Sequence, residues 1–571
     1  MAGAEERRGG GRGRTRSAGD QRVWLCLGVA VAALILARAA PAQTPPAGTP
    51  ATPGGGGDTG AAPAGGTPAA PGTTGTPETG AAATPGGGAA AAELRGPAWT
   101  ILPSVSASEA FTDNVFATPT QRQSDLISTL APDLFISGES ARLHGVFEYS
   151  PALIKYLANS SQDQVQQNLF TNGTLTAVPD LFFIDGNASI STQSRQGGRG
   201  FNNTSQIPTT QSTQTAAYSG SPYLRLHFGA DGDAEFRYTF SQTVFNGNTG
   251  PVTDSLTGQN LGSLSNATQH AVSFSYNTGE ALSRLQFGFL SSYVQLISGS
   301  GGLDSRHATD TVSATYAVTD AVSALFGGGY EKLVYPQLPA DNFSGPNWSL
   351  GARYRPREDR QITLSYGESE GQDTFAGSML YALTGDATLS GSYSQQNTTQ
   401  QQQILQNLGA STLTAPGLLP TNPTTQLPQT ITNPNLALQN GVFRAQNLQL
   451  GLAVTRARNH YQALFSRSEQ TSLSGGSTSQ TTDGGVVSWG RDLSPVTTGA
   501  VSAGYSTTTS GASAGVAAAP GIAALTVAVS LNVTLGPSLT AGANYALSRQ
   551  TGGSTGAVVV DTVSVSLRKT F

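Results

Sequence analysis

From Trp99 to Phe571 one texture repeats: runs of roughly 8 to 12 residues in which apolar and polar positions alternate. That period of two sends successive side chains to opposite faces of a β-strand. Phe236, Tyr238 and Phe240 share one face, while Glu235, Arg237 and Thr239 share the other. Leu224, Leu226 and Phe228 oppose Arg225 and His227; Leu143, Phe147 and Tyr149 oppose Arg142, His144 and Glu148. Val527, Val529, Leu531, Val533 and Leu535 oppose Ala528, Ser530, Asn532 and Thr534.

The joints between these runs carry more information than the runs themselves. Short ones such as "SGES" (137–140), "VPD" (178–180), "GADGD" (229–233), "VTDA" (318–321), "RPRED" (355–359), "TGD" (384–386), "RARN" (456–459) and "GP" (536–537) alternate with long ones. The long ones fall at 193–216, 243–267, 294–307, 334–346, 395–440, 471–483 and 507–521. A soluble sandwich or propeller has no reason to segregate loop lengths in this way. A membrane barrel does, because its periplasmic turns are short and its extracellular loops long. The pattern therefore predicts an all-β fold: a transmembrane antiparallel up-and-down β-barrel of about 22 strands, within a range of about 16–22.

An even strand count, starting from a periplasmic amino-terminal side, returns the carboxy-terminus to the periplasm. The last strand, "VSVSLRKTF", would direct Val563, Val565, Leu567 and Phe571 to lipid and Ser564, Ser566 and Arg568 inward. It would pair with residues near 100–109 and close the ring, leaving no strand edge in hydrocarbon. Lys569 falls on the lipid-facing register, at the rim, where its ammonium can snorkel to water. A terminal aromatic on an alternating strand also resembles the signal by which outer-membrane assembly machinery recognises its clients. The same topology places positions 231 and 458 on the turn side and positions 250 and 415 on the loop side.

Composition agrees with short alternating strands. Charged residues are 11% of the 571, against about 25% in an average protein, and hydrophobic residues are 37% without long apolar runs. The chain divides into a signal peptide over 1–42, a linker over 43–96 and the barrel over 97–571. The first has a basic stretch, the apolar run "VWLCLGVAVAALILA" (23–37) and small residues at Ala40-Pro41-Ala42. About 15 apolar residues fall short of the ~20 needed by a spanning helix. The second is almost wholly Pro, Ala, Gly and Thr, with nothing to bury, and reads as disordered.

The single cysteine, Cys26, lies inside the apolar run, so the cleaved chain has no disulfide or thiol chemistry. The first 42 residues hold seven of the 30 Lys and Arg and three of the 35 Asp and Glu, which leaves the remainder at −9. Nucleic acid is an implausible partner at that balance.

Candidate chemistry is sparse. The five histidines have no paired metal-ligand spacing, and no cofactor is implied. "GASAG" (511–515) matches a nucleophile pattern but lacks the strand–turn–helix context that chemistry requires, and "SGSGGLDS" and "STSQTTDGG" lead into no helix. The chain does not read as an enzyme. In a barrel, Arg142, His144, Glu148, Arg225, His227, Glu235 and Arg237 would line the lumen, either as a solute-guiding band or as ordinary interior polarity paired across strands. Aromatics such as Tyr276, Phe289, Tyr293, Tyr330, Tyr366, Tyr393, Tyr505 and Tyr545 fit either an interfacial girdle or sugar stacking inside. The segment 395–440, rich in Gln, Asn, Thr and Pro, would either fold inward as a constriction or plug, or extend outside.

"SVSASEAFTDNVF" (104–116), "SDLISTLAPDLFISGESARL" (124–143), "YRPREDRQITLSYG" (354–367) and "WGRDLSP" (489–495) resemble a family of predicted outer-membrane barrels of Gram-negative bacteria. That family is found beside the PEP-CTERM/exosortase sorting system and exopolysaccharide loci. The distinctive pieces are "TDNVF" and "REDR"; the Ala/Pro/Gly linker is outside the pattern. The resemblance implies a channel or export component linked to exopolysaccharide or PEP-CTERM systems, and supplies no catalytic residues. A general porin-like channel, or a structural or adhesive barrel displaying long loops, stays open beside it. Expected partners are outer-membrane lipid, the assembly machinery and polysaccharide export components.

Overall fold

The computed structural model describes residues 99–571, apart from 196–211, 253–260, 280, 281, 283, 434, 435, 474–478, 512–520, 554 and 555. The signal-peptide and linker readings, Cys26 and most of "GASAG" lie outside the described residues.

Among the described residues twenty-four strands are formed in chain order. The first quarter comprises β1 (Trp99–Thr112), β2 (Asp125–Glu139), β3 (Leu143–Tyr149), β4 (Ala152–Tyr156), β5 (Gln164–Gln166) and β6 (Leu169–Val178). Next come β7 (Phe182–Ser194), β8 (Ser212–His227), β9 (Gly232–Gly247), β10 (Ala267–Thr278), β11 (Leu285–Ser298) and β12 (Ser305–Ala317). The third quarter is β13 (Val322–Val334), β14 (Phe343–Arg357), β15 (Arg360–Ser369), β16 (Gln372–Thr384), β17 (Ala387–Thr399) and β18 (Val442–Arg456). The ring is completed by β19 (Asn459–Ser472), β20 (Gln480–Ser494), β21 (Thr497–Ser510), β22 (Ile522–Gly536), β23 (Leu539–Gly552) and β24 (Val558–Thr570). The one α-helix among the described residues, α1 (Gln400–Gly409), comes after β17.

Every pairing is antiparallel, almost all are between chain neighbours, and β24 pairs with β1 from Thr562↔Thr112 to Thr570↔Ser104. β3 and β4 are two halves of one stave, as are β5 and β6. β2 pairs with both β3 and β4, β4 pairs with β5 and β3 with β6. The break falls at Pro151, which has no N–H to give the ladder. The barrel thus closes with 22 staves. Most are 13–16 residues long, more than the ~9–11 that cross a bilayer, so they project beyond it.

At one end the connections are two to six residues long, from Ser140–Arg142 to Pro537–Ser538. At the other end most are longer, the exceptions being 370–371, 553–557 and 299–304, of two, five and six residues. Several are shorter than the sequence suggests: β11 and β12 are joined by 299–304 instead of 294–307. The strands there continue on Ser, Thr and Gln, past the point where alternation of apolar residues ends.

The register fixes which face is inside. Cross-strand partners from Leu102 run Phe135, Glu148, Phe170, Ser189, Ala217, Thr243, Ala267 and Ser298. Segment 400–441 packs on this level, which marks it as the lumen. The opposite face carries the exposed belt, including Leu130, Phe236, Phe274, Phe326, Leu364, Phe465 and Val529. All eight aromatics considered for the girdle lie on that outer register, so none of them stacks a ligand in the lumen. Val563, Val565, Leu567 and Phe571 are exposed on the outside, and Lys569 Nζ donates to Ser538 Oγ at 2.5 Å. The Phe571 N–H bonds Pro103 O at 2.9 Å.

Candidate functional site: the plugged lumen

The segment between β17 and β18 folds into the barrel. Its first turn is set by a capping box: Thr399 Oγ1 accepts the Gln402 N–H at 3.2 Å, and Gln402 Oε1 accepts the Thr399 N–H at 3.1 Å. The run "QQQQILQNLG" is then helical, with Ile404, Leu405 and Leu408 on one buried side. These three pack with Leu413, Ile431 and Leu438 against wall residues Phe135, Phe170, Ala217 and Phe245. β8, which α1 touches, lies nine staves from β17 round the ring, so the helix carries the chain across the lumen.

Polar bonds fix the helix to the rim. Gln401 Nε2 donates to Ser265 O at 3.0 Å, Gln402 Nε2 to Ser305 Oγ at 3.0 Å, and Gln470 Nε2 to Gln403 Oε1 at 3.1 Å. Beyond the helix the chain descends until the Gly417 N–H donates to Glu148 Oε1 at 2.7 Å. Gly417 has φ +72°, and a Cβ there would come within 3.4 Å of Arg568 Nη1. A glycine suits both the backbone and the close approach. Arg568 itself donates to Asp133 Oδ2 at 2.7 Å and to Ser104 Oγ at 3.2 Å. The descent therefore ends on a fixed charge cluster built by β1, β2, β3 and β24.

The expected lumen residues fall on two stretches of wall. His144 and Glu148 lie on the inward register of β3; His144 Nδ1 is 3.6 Å from Glu139 Oε1, and Arg142 sits exposed in the turn before it. Arg225, His227, Glu235 and Arg237 form one ladder on β8 and β9. Arg237 bonds Asp185 Oδ2 at 2.5 Å and Glu235 Oε1 at 2.8 Å, and Arg225 bonds Glu235 Oε2 at 3.1 Å. His227 Nδ1 pairs with Asp233. The Arg237 guanidinium lies 3.8 Å from the Tyr223 ring centroid, and Tyr223 stacks on Phe183 at 5.1 Å. Above this ladder a cavity of about 270 Å³ separates the wall from α1.

Two further clusters hold the loop end. Arg195, fully buried, donates to the carbonyls of Asn248, Gly250, Leu261 and Gly262, and its own carbonyl accepts the Leu438 N–H at 3.2 Å. Burial pulls its guanidinium down to about 10, so it stays charged at neutral pH. The second cluster joins His307, Glu331 and Glu370: Ser369 Oγ donates to Glu331 Oε2 at 3.0 Å, and the Glu370 N–H also bonds Glu331. Glu370 turns at φ +55° and accepts the Asn397 N–H at 3.1 Å. Burial pushes its carboxyl up to about 7 against the pull of His307, and the Glu331 charge adds to the rise. Among the described residues no group of three His, Cys, Asp or Glu could hold a metal ion.

"TDNVF" and "REDR" have structural roles. Asn114 Nδ2 donates to Thr118 O at 2.7 Å and to Val559 O at 3.1 Å, while Asp113 Oδ1 accepts the Asp561 N–H at 2.7 Å. The first motif thus latches the β1–β24 seam. In the second, Arg357 Nε meets Asp359 Oδ1 at 3.2 Å across the β14–β15 turn.

Alternation could not reveal Asp133 and Asp185 as the partners of Arg568 and Arg237, or Phe135 and Phe170 as inward-facing. The helix had a readable signal in Thr399-x-x-Gln402 followed by Ile404, Leu405 and Leu408, submerged in a Gln-rich composition.

These features define a plugged transmembrane β-barrel. No family model and no curated protein matches the chain. Among solved structures it is similar to the FrpB iron transporter from Neisseria meningitidis, at 11% identity over 82% of each chain, TM-score 0.44. It is also similar to the siderophore receptor PirA from Acinetobacter baumannii, at 8% identity over 83% of this chain and 80% of that one, TM-score 0.44. A mutant of the ferric enterobactin receptor PfeA from Pseudomonas aeruginosa gives 10% identity over 82% and 80%, TM-score 0.38.

Proposed function

We propose that the protein is an outer-membrane channel whose lumen is closed by segment 400–441 and opens when that segment is displaced. The location is supported by the closed ring, which leaves no edge in hydrocarbon, and by the apolar outside and polar inside. In this reading the short turns and the carboxy-terminus face the periplasm. The observation that carries the gate is the inward descent from the rim bonds of α1 to the Gly417–Glu148 contact. A barrel of about 22 strands is too wide for its own side chains to fill, so the segment decides whether solute passes.

The resemblance to barrels beside exopolysaccharide and PEP-CTERM loci supplies the setting: export of a polysaccharide, with the synthesis and sorting machinery as partners. Planar-bilayer conductance tests the reading. The full chain should be closed or weakly conducting, and replacing 400–441 with a short Gly-Ser turn should raise conductance by roughly ten-fold, as expected for an emptied wide barrel. Background conductance from both forms would contradict the channel and leave a structural barrel.

A further inference from the structure

The cavity between the wall and α1 has a chemistry of its own. Its wall side carries Asp185, Ser219, Ser221, Arg237, Thr239 and Gln269; its lumen side is closed by Leu405 and Gln406 of α1. Both charged groups are already committed. Arg237 is held by Asp185 and Glu235, and Arg225 takes the other oxygen of Glu235, so two cations and two anions cancel in one network. The network is also braced, with Arg237 seated on the Tyr223 ring and Asp185 Oδ1 accepting Thr174 Oγ1 at 2.8 Å. A charged ligand would find no unpaired opposite charge here.

What the cavity does offer is a dense set of hydroxyls and amides. Ser221 and Thr239 lie 2.8 Å apart, with Ser219, Ser241, Asn187 and Gln269 beside them. Each hydroxyl or amide both donates and accepts, the match for a ligand whose groups do the same. Leu405 supplies one apolar surface opposite. A volume of about 270 Å³ sits just below the ~300 Å³ at which pockets for drug-sized ligands begin, so it holds one ring and not a chain. A single ring with hydroxyls around its edge and a C–H face is a sugar residue.

We propose that this seam is a binding subsite for one neutral saccharide unit, held between the β7–β10 wall and α1. The proposal deepens the channel reading and rests on it only for the route by which sugar arrives. An occupant would press on Leu405 and Gln406, and so would bias the plug that closes the lumen.

The test is calorimetry on the refolded full chain with maltohexaose, cellohexaose and hexagalacturonate. At least one neutral probe should bind, and hexagalacturonate should bind more weakly. The pair Ser221→Ala/Thr239→Val, which keeps shape and removes two hydroxyls, should weaken that binding by about ten-fold. Gln269→Leu should weaken it in the same direction, while Ser530→Ala on the far wall should leave it unchanged. Absence of binding by both neutral probes, preference for hexagalacturonate, or indifference to the cavity variants would overturn the proposal. Conductance of the same preparation separates the two readings: a conducting barrel without sugar binding removes only the subsite, and sugar binding without conductance in either form removes only the channel.

Discussion

Strands β7–β9 and β21–β23 are built from the same alternation, yet their inner faces differ. The first set points Phe183, Asp185, Tyr223, Arg225, His227, Asp233, Glu235, Arg237 and Phe245 into the lumen. The second set points Ser, Thr, Ala, Gly, Asn and Gln there, with no charged side chain among the described residues of that inner face, and one apolar exception in Ile522. α1 docks on the first set, where apolar residues at one level and a paired charge ladder below it give a distinctive surface. A uniform hydroxyl wall offers every solute or segment similar weak bonds and no preferred position. Plug docking therefore belongs to the β7–β9 side, and in the proposed channel ligand discrimination would fall there and passage on the other.

The comparison breaks most sharply with one new charge on each side. Leu408→Asp places a carboxylate among Ile404, Leu413 and Phe245, where no partner waits, and should cost about 3 kcal/mol. It should lower the melting temperature in detergent and raise conductance. Ser530→Asp, on the inner face of β22, should change both little. Equal effects would erase the distinction between the two sides.

Next in size is Arg195→Ala. Four carbonyls lose their donor, and Asn248 and Gly250 are no longer tied to Leu261 and Gly262 through one guanidinium, at a cost of about 2 kcal/mol. Hydrogen exchange should accelerate around Leu261 but not in β21–β23. Uniform acceleration would mean that the loop end does not act as a local unit.

The smallest effect is the pH response of the Glu331–Glu370 cluster. The folded carboxyl of Glu370 lies near 7, above the ~4.3 of an unperturbed glutamate. Its protonated form is the one favoured by folding, so its contribution is fully present below the unfolded value and is lost as pH rises through about 7. Protection at 369–372 and 397 should therefore fall between pH 5 and pH 8, and Glu370→Gln should flatten that fall. A rise over the same window would contradict the burial argument.

Much of the barrel was legible because a bilayer imposes simple rules. Period-two alternation located the strands, and the segregation of loop lengths implied two distinct ends. The pairing of Thr562–Thr570 with Ser104–Thr112 follows from the need to close the ring. The strand ends were blurred because, outside the hydrocarbon, nothing requires the outer face to be apolar. The plug was hidden for a different reason. Its Gln, Asn and Thr residues resemble disorder in composition, and become ordered only because Ser265, Ser305 and Gln470 stand opposite them. Position 415, expected on the loop side, consequently lies within the inward-folded segment near Gly417. Phe135 and Phe170 were ambiguous because apolar residues lie on both faces of their strands, and only the docked Ile404, Leu405 and Leu408 identify the buried one.

The central claim is that segment 400–441 closes the lumen by reaching Glu148. It is tested most directly by a reversible lock in the bilayer: Gly417→Cys with Glu148→Cys, in a chain whose Cys26 is replaced by serine. Oxidation should join the two cysteines and keep the channel closed under a raised voltage that displaces the segment, and opens the channel, in the reduced chain. A channel that opens at that voltage as readily with the bond as without it would contradict the account.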